Sequence, residues 1–230
     1  MTHIRKAVFP VAGMGTRFLP ATKTIPKEML TIIDRPLIQY AVDEAREAGI
    51  EDFIFVSAAG NGALEDYFDT AAALEQRLRA AGKDDALAAL GRTRMSEGSL
   101  TILRQARPLG LGHAVRQAKH LIGNEPFAVL LPDDVIKGKR GALAQMVQAH
   151  RNIGGHMVAT MDVPRVDTSK YGVLDIDHEN GRISHARGLV EKPRADIAPS
   201  TKAVVGRYIL DSAIFDRLNN LGPGAGGELQ

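Results

Sequence analysis

An apolar run, Ala7-Val8-Phe9-Pro10-Val11-Ala12, empties into Gly13-Met14-Gly15-Thr16-Arg17. Preceded by Arg5-Lys6, the run reads as a buried strand. Glycines lack a Cβ, so backbone N–H groups at Ala12, Gly13, Gly15 and Thr16 can approach an anion and form a nest for it. Arg17 adds a fixed charge with a planar fork of donors suited to phosphate oxygens. Ten residues on, Ile25-Pro26-Lys27-Glu28-Met29-Leu30 brings a second cation toward the same loop. A lone Gly-x-Gly is more often a plain turn. Gly-x-Gly-Thr-Arg together with Pro-Lys-Glu-Met reads as a triphosphate cradle.

The cradle is not one of the common ones. Gly-x-x-x-x-Gly-Lys-[Ser/Thr] is missing, so this is no P-loop. Phe18 stands where a dinucleotide site has its third glycine, and no acidic residue closes a second strand about twenty residues on. Downstream, Pro36 to Ala48 has a proline near its first turn, apolar Leu37, Ile38, Ala41, Val42 and Ala45, and Gly49 as a stop, which predicts an amphipathic helix. Phe53–Ser57 is a second buried strand. Strand, loop, helix, strand opens a parallel α/β sheet, in which ligands sit beyond the carboxyl ends of strands. Residues 61–96, alanine-rich and charged, are expected to form two helices broken near Gly82, as a surface excursion.

A third strand, Leu100–Leu103, leads through Gln105 into Leu109-Gly110-Leu111-Gly112-His113-Ala114, the opening of a helix to about Leu121. Gln105 offers a donor and an acceptor, which suits reading a pyrimidine edge; a glycine turn with a surface glutamine is the plainer alternative. His113 caps or lines the helix start, with no second histidine at metal spacing. The most apolar strand, Phe127–Leu131, ends in Pro132-Asp133-Asp134. Carboxylates there can hold Mg²⁺ shared with substrate phosphates, or cap the following turn, and two adjacent acids allow one of each. After a helix over Gly141–Asn152 and a strand over His156–Val163, Tyr171–Ile176 and Ile183–Val190 flank Asn180-Gly181, a strong hairpin signal. The sheet is expected to turn antiparallel here and form a small acceptor-binding subdomain. Ala203–Leu210 is a further strand, Asp211 is expected to cap a short helix through Asn219, and Leu221–Gly227 reads as a flexible loop.

The string from Gly13 through Leu30 resembles the sugar-phosphate nucleotidylyltransferases, and among them the bacterial UTP–glucose-1-phosphate uridylyltransferase branch. That resemblance implies a Rossmann-like, mainly parallel mixed sheet flanked by helices, with a small antiparallel sugar-binding subdomain. It implies one domain over 1–230, the nucleotide-binding part about 1–135 and the sugar-phosphate part about 136–230, with the C-terminal part of the family domain missing. Residues 61–96 would be the branch's helical insertion. The implied reaction joins UTP to glucose 1-phosphate, giving UDP-glucose and pyrophosphate, with Mg²⁺ as cofactor. Arg17 and Lys27 would hold the nucleotide's phosphates, and Gln105 and Gly110 would face uracil. Asp133 would hold the metal, with Asp134 undecided. Gly172, Glu191, Lys192 and Val205 would meet the sugar phosphate, Lys192 positioning the attacking oxygen. A homo-oligomer, dimer or tetramer, is implied, as is a role in supplying polysaccharide precursors. A sibling using dTTP or another sugar phosphate, and a non-catalytic nucleotide-sugar binder, are the competing readings.

Lys+Arg 29 against Asp+Glu 27 leaves +2, which implies no broad face for nucleic acid. There is no cysteine, hence no disulfide framework. No apolar run nears the ~20 residues of a membrane span, and the start MTHIRKAVF lacks a signal-peptide core. A cytoplasmic enzyme or binding protein is expected.

Overall fold

A computed structural model describes residues 3–58, 60–220 and 222. The strands are β1 (Lys6–Val11), β2 (Thr31–Ile32), β3 (Arg35–Pro36), β4 (Asp52–Ser57), β5 (Leu100–Arg104), β6 (Phe127–Leu130), β7 (Met157–Asp162), β8 (Gly172–Asn180), β9 (Ile183–Glu191) and β10 (Lys202–Leu210). The helices are α1 (Leu37–Glu47), α2 (Gly62–Phe68), α3 (Ala72–Ala80), α4 (Asp84–Gly91), α5 (Leu111–Gln117), α6 (Lys119–Ile122), α7 (Ala142–Ile153) and α8 (Ile214–Asn220). None of them is long and apolar enough to cross a membrane.

One eight-stranded sheet runs β5-β4-β1-β6-β10-β8-β9, with β7 on the other edge of β10. The first four strands are parallel, in registers such as Phe9↔Phe55 and Val8↔Val129. Strand β10 then enters antiparallel, pairing Arg207↔Leu130 with β6 and Ala203↔Val173 with β8. The antiparallel part thus continues the same sheet. Strands β2 and β3 form a separate two-stranded ribbon.

Alternation along the buried strands divides the core in two. Ala7, Phe9 and Val11 face α1, α2 and α7, where Ile38, Val42, Leu64, Leu143 and Val147 pack against them. Val8, Val56, Phe127 and Val129 face α5, α6 and α8, meeting Ala114, Ile122 and Phe215. The stripe read on α1 is the buried one, and Gly49, at φ 87, follows its end.

Several expectations need correction. Residues 61–96 form three helices, because the chain is extended at Asp69, whose Oδ1 accepts the Thr70 N–H and ends α2. Leu64 and Phe68 belong to the core, so the surface excursion begins after them. Helix α8 starts at Ile214, whose N–H donates to the backbone carbonyl of Asp211; among the described residues the Asp211 carboxylate makes no hydrogen bond to the helix start. The helix read to Leu121 is interrupted at Ala118 and ends at Ile122. Apart from Gly222, the expected Leu221–Gly227 loop lies outside the described residues.

Candidate active site

Strand register carries the singled-out residues to one edge of the sheet. Ala12 and Gly13 follow the end of β1, Gln105 follows β5 and Asp133 follows β6. Those three strands are parallel, so the residues share the carboxyl edge. Antiparallel β10 passes this level at Gly206, whose carbonyl accepts the Leu131 N–H at 2.9 Å. The first half of β10 rises beyond the edge beside β7, and Gly172↔Glu191 pairing places the start of β8 and the end of β9 nearby. The hairpin therefore stands as a wall over the strand ends.

At the foot of β1, Gly15 sits at φ 62, a conformation open to glycine at little cost, and accepts hydrogen bonds from Phe18 N–H (2.9 Å) and Thr22 Oγ1 (2.7 Å). Thr16–Phe18 and Lys27–Met29 are short 3-10 turns. The Lys27 side chain crosses both glycines: a Cβ on Gly13 would lie 3.6 Å from its Cε, and one on Gly15 3.2 Å from its Cβ. Lys27 Nζ donates to Asp133 Oδ2 at 2.6 Å, with both side chains mostly buried. The two motifs, 106 residues apart in sequence, thus touch directly. Arg17 stands exposed on the loop, with no side-chain partner found among the described residues.

Beside Lys27, Glu28 is fully buried and neither carboxylate oxygen has a hydrogen-bond partner. Lys27 Nζ approaches one oxygen only to 3.9 Å. Burial pushes the Glu28 carboxyl up to about 7, against which the nearby Lys27 charge pulls it down. Sequence reasoning passed over this residue, since its burial arises from packing of its turn against α1 and α2.

Gln105, nearly buried, is held by its amide nitrogen: Nε2 lies 2.7 Å from His113 Nδ1 and 3.3 Å from the Gly110 carbonyl. Burial and Arg116 hold the His113 imidazole below its ordinary range, which favours the neutral ring able to accept from an amide. His113 therefore orients Gln105, a function the lone histidine did not reveal in the sequence.

On the wall, Lys192 Nζ lies 3.1 Å from Glu191 Oε1, and both side chains are about half exposed. Lys192 has φ 47 and donates its N–H to the Tyr171 carbonyl at 2.9 Å. A Cβ on Gly172 would lie 3.1 Å from Glu191 Oε2, so that position must stay small for the carboxylate to lie across it. Val205 is half-buried on β10, paired with Ala159. Asp134, left open by the sequence, accepts the Gly206 N–H on Oδ2 at 2.8 Å. Tyr208 was not foreseen. Burial pushes its hydroxyl up to about 12, with the Asp134 and Glu191 carboxylates adding to the shift.

Among the described residues no three His, Asp or Glu side chains are grouped to cage a metal. Mg²⁺ rarely needs such a cage: it takes one or two carboxylates and completes its shell with water and phosphate oxygens. Asp133, a hard oxygen donor beside a loop of backbone amides, fits that kind of shared site.

Residues 6–230 match the family model described as Nucleotidyl transferase. A UTP–glucose-1-phosphate uridylyltransferase of Komagataeibacter xylinus is 51% identical over 227 residues, 99% of this chain and 80% of the relative. A UDP-glucose pyrophosphorylase solved with UDP-glucose is 43% identical, with TM-score 0.88 over 99% of this chain and 83% of that one. A UTP-bound enzyme from Acinetobacter baumannii is also 43% identical, with TM-score 0.88 over 94% and 78%.

Proposed function

The chain belongs to the nucleotidyl transferase family, and we propose that it transfers a uridylyl group from UTP to glucose 1-phosphate, giving UDP-glucose and pyrophosphate. One observation carries this reading. The glycine loop with its Lys27–Asp133 contact and the Glu191–Lys192 pair occupy the same edge of the sheet. The relatives solved with UTP and with UDP-glucose support the choice of nucleotide.

In the reaction a phosphate oxygen of glucose 1-phosphate attacks the α-phosphorus of UTP, and the bond to the β-phosphate's bridging oxygen breaks. The attacking oxygen is already ionised, so no general base is needed. The protein's work is positioning and charge neutralisation. Backbone amides at Ala12, Gly13, Gly15 and Thr16 hold the triphosphate, and Arg17 and Lys27 take the charge that builds on the leaving pyrophosphate. Gln105, aimed by His113, and the backbone of Gly110 face uracil. Glu191 accepts from sugar hydroxyls, Gly172 and Val205 form the wall beside the sugar, and Lys192 holds the attacking phosphate. Asp133 would hold Mg²⁺, which when bound would supply further neutralisation of the phosphates. On this reading residues 1–135 form the nucleotide part and 136–230 the sugar-phosphate part of one domain, in a cytoplasmic homo-oligomer that makes an activated sugar for polysaccharide synthesis.

Pyrophosphate release across UTP and dTTP, each with glucose 1-phosphate and a second hexose 1-phosphate, tests the proposal. The highest kcat/KM is expected for UTP with glucose 1-phosphate. Preference for dTTP would make the protein a thymidylyl sibling. UDP-glucose binding by calorimetry with no pyrophosphate released would make it a binder.

A further inference from the structure

The buried ion pair between Arg207 and Glu44 reaches the loop that carries Asp133. Arg207 is 1% exposed and Glu44 7%. Arg207 Nε donates to both Glu44 oxygens at 3.1 Å, and Nη2 donates to Oε2 at 2.8 Å. The other bonds of the fork leave the pair. Nη1 donates to the carbonyls of Leu131 (3.0 Å) and Gly206 (2.9 Å), and Nη2 to the carbonyl of Asp134 (2.8 Å). The guanidinium therefore spans Leu131-Pro132-Asp133-Asp134, gripping the backbone on either side of Asp133.

Glu44 is itself fixed. Its Oε1 accepts the Leu143 N–H at 2.9 Å, in the first turn of α7. A second set of ties joins β10 to the same loop: Leu131 N–H to the Gly206 carbonyl, and Gly206 N–H to Asp134 Oδ2. The side chain of Asp133 takes part in none of these bonds and meets Lys27 instead. Its carboxylate is thus aimed by backbone held from below. An isolated buried ion pair is an expensive way to stabilise a core, and well-packed apolar residues often replace one without loss. What apolar side chains cannot supply is a rigid planar fork satisfying three carbonyls at once, and a lysine ammonium cannot span them either.

We infer that Arg207, oriented by Glu44, is a positioning residue that sets the Asp133 carboxylate relative to the glycine loop, and so governs metal affinity without touching substrate. The inference rests on the reading of Asp133 as the metal ligand. Residues that orient a metal ligand typically change metal affinity or activity by about 10–100-fold when replaced.

The test is Mn²⁺ binding to the full chain with UTP and no sugar phosphate, followed by electron paramagnetic resonance of free Mn²⁺, alongside thermal unfolding and kcat. Two variants are compared with the parent: Arg207→Lys, and the double variant Arg207→Met/Glu44→Leu, which leaves no buried charge without a partner. Mn²⁺ affinity about tenfold weaker or worse is expected in each variant that folds, with kcat lowered and the KM for glucose 1-phosphate little changed. Where the double variant keeps thermal stability, its Mn²⁺ affinity is still expected to stay low, because nothing replaces the fork that holds the loop. A folded variant that binds Mn²⁺ within about twofold of the parent, or a double variant that regains affinity along with stability, overturns the inference. Asp133→Asn separates this from the underlying reading. Unchanged Mn²⁺ binding there removes Asp133 as ligand, whereas weakened binding there with parental binding in Arg207→Lys removes only the role of Arg207.

Discussion

Lys192 is held at φ 47, in the left-handed region that costs an L-residue roughly 1–2 kcal/mol, by its N–H bond to Tyr171. That strain fixes where the side chain leaves the backbone, while the ammonium stays accessible. Lys192→Ala is predicted to lower kcat by a factor on the order of 100, or ~3 kcal/mol. Its unfolding free energy should stay within about 0.5 kcal/mol of the parent, as for other exposed side chains. Full turnover would remove the residue from the reaction. Arg17→Ala should raise the UTP concentration needed for half-maximal rate as well as lower the rate; an unchanged UTP profile would take Arg17 out of the cradle. Glu28 offers a prediction of another kind. Its folded pKa of about 7 lies above the ordinary 4.5, so the folded state binds the proton more tightly than the unfolded chain. Stability should therefore fall as pH rises from about 4.5 to about 7, by on the order of 3 kcal/mol, and then level off. Glu28→Gln should flatten that slope, read from urea midpoints at pH 5 and 8; parallel slopes would contradict it. The sequence displays Gly13, Gly15, Arg17, Lys27 and Asp133 because each sits in a short string whose local geometry carries its chemistry. It hides Glu28, whose neighbour Lys27 looks like a solvating partner but points to Asp133.

Gly206 shows what an element demands of one position. A Cβ there would lie 2.6 Å from Leu131 Cβ and 2.7 Å from Asp134 Oδ2, distances no real side chain tolerates. Gly206→Ala should push the Asp133 loop off β10, costing roughly 1–3 kcal/mol of stability and lowering kcat together with it. Parental stability and rate would mean that the loop is free to shift. Strands β1, β4 and β6 and helix α1 could be read from residue pattern alone, because buried runs and a single apolar stripe are local signals. The break between α2 and α3 could not, since Tyr67, Phe68, Ala71 and Leu74 keep helical spacing through it while Asp69 turns the chain. The hairpin was expected to pair to Ile176, yet β8 runs to Asn180, past two irregularities in register that carry its polar far end into solvent.

Across the whole molecule the three layers depend on the middle of the sheet. Phe9 is fully buried, with ring centroids 5.2 Å from Phe55 and 6.0 Å from Phe53. Phe9→Ala should cost about 3–5 kcal/mol, measured by urea unfolding; a loss under about 1 kcal/mol would mean that the core collapses readily around the gap. Residue pattern could supply the layers and the shared edge, but not the Arg207–Glu44 pair, whose partners stand 163 residues apart and obey no period. Strand β10 belongs to both parts of the sheet. Its last residues lie against β6 and its first against β8, while β7 runs along its other edge with a register slip between Val205 and Tyr208. A single continuous strand therefore joins the hairpin to the floor beneath it. On the proposed reading, the acceptor side and the nucleotide side of the site therefore hang on one unbroken stretch of backbone.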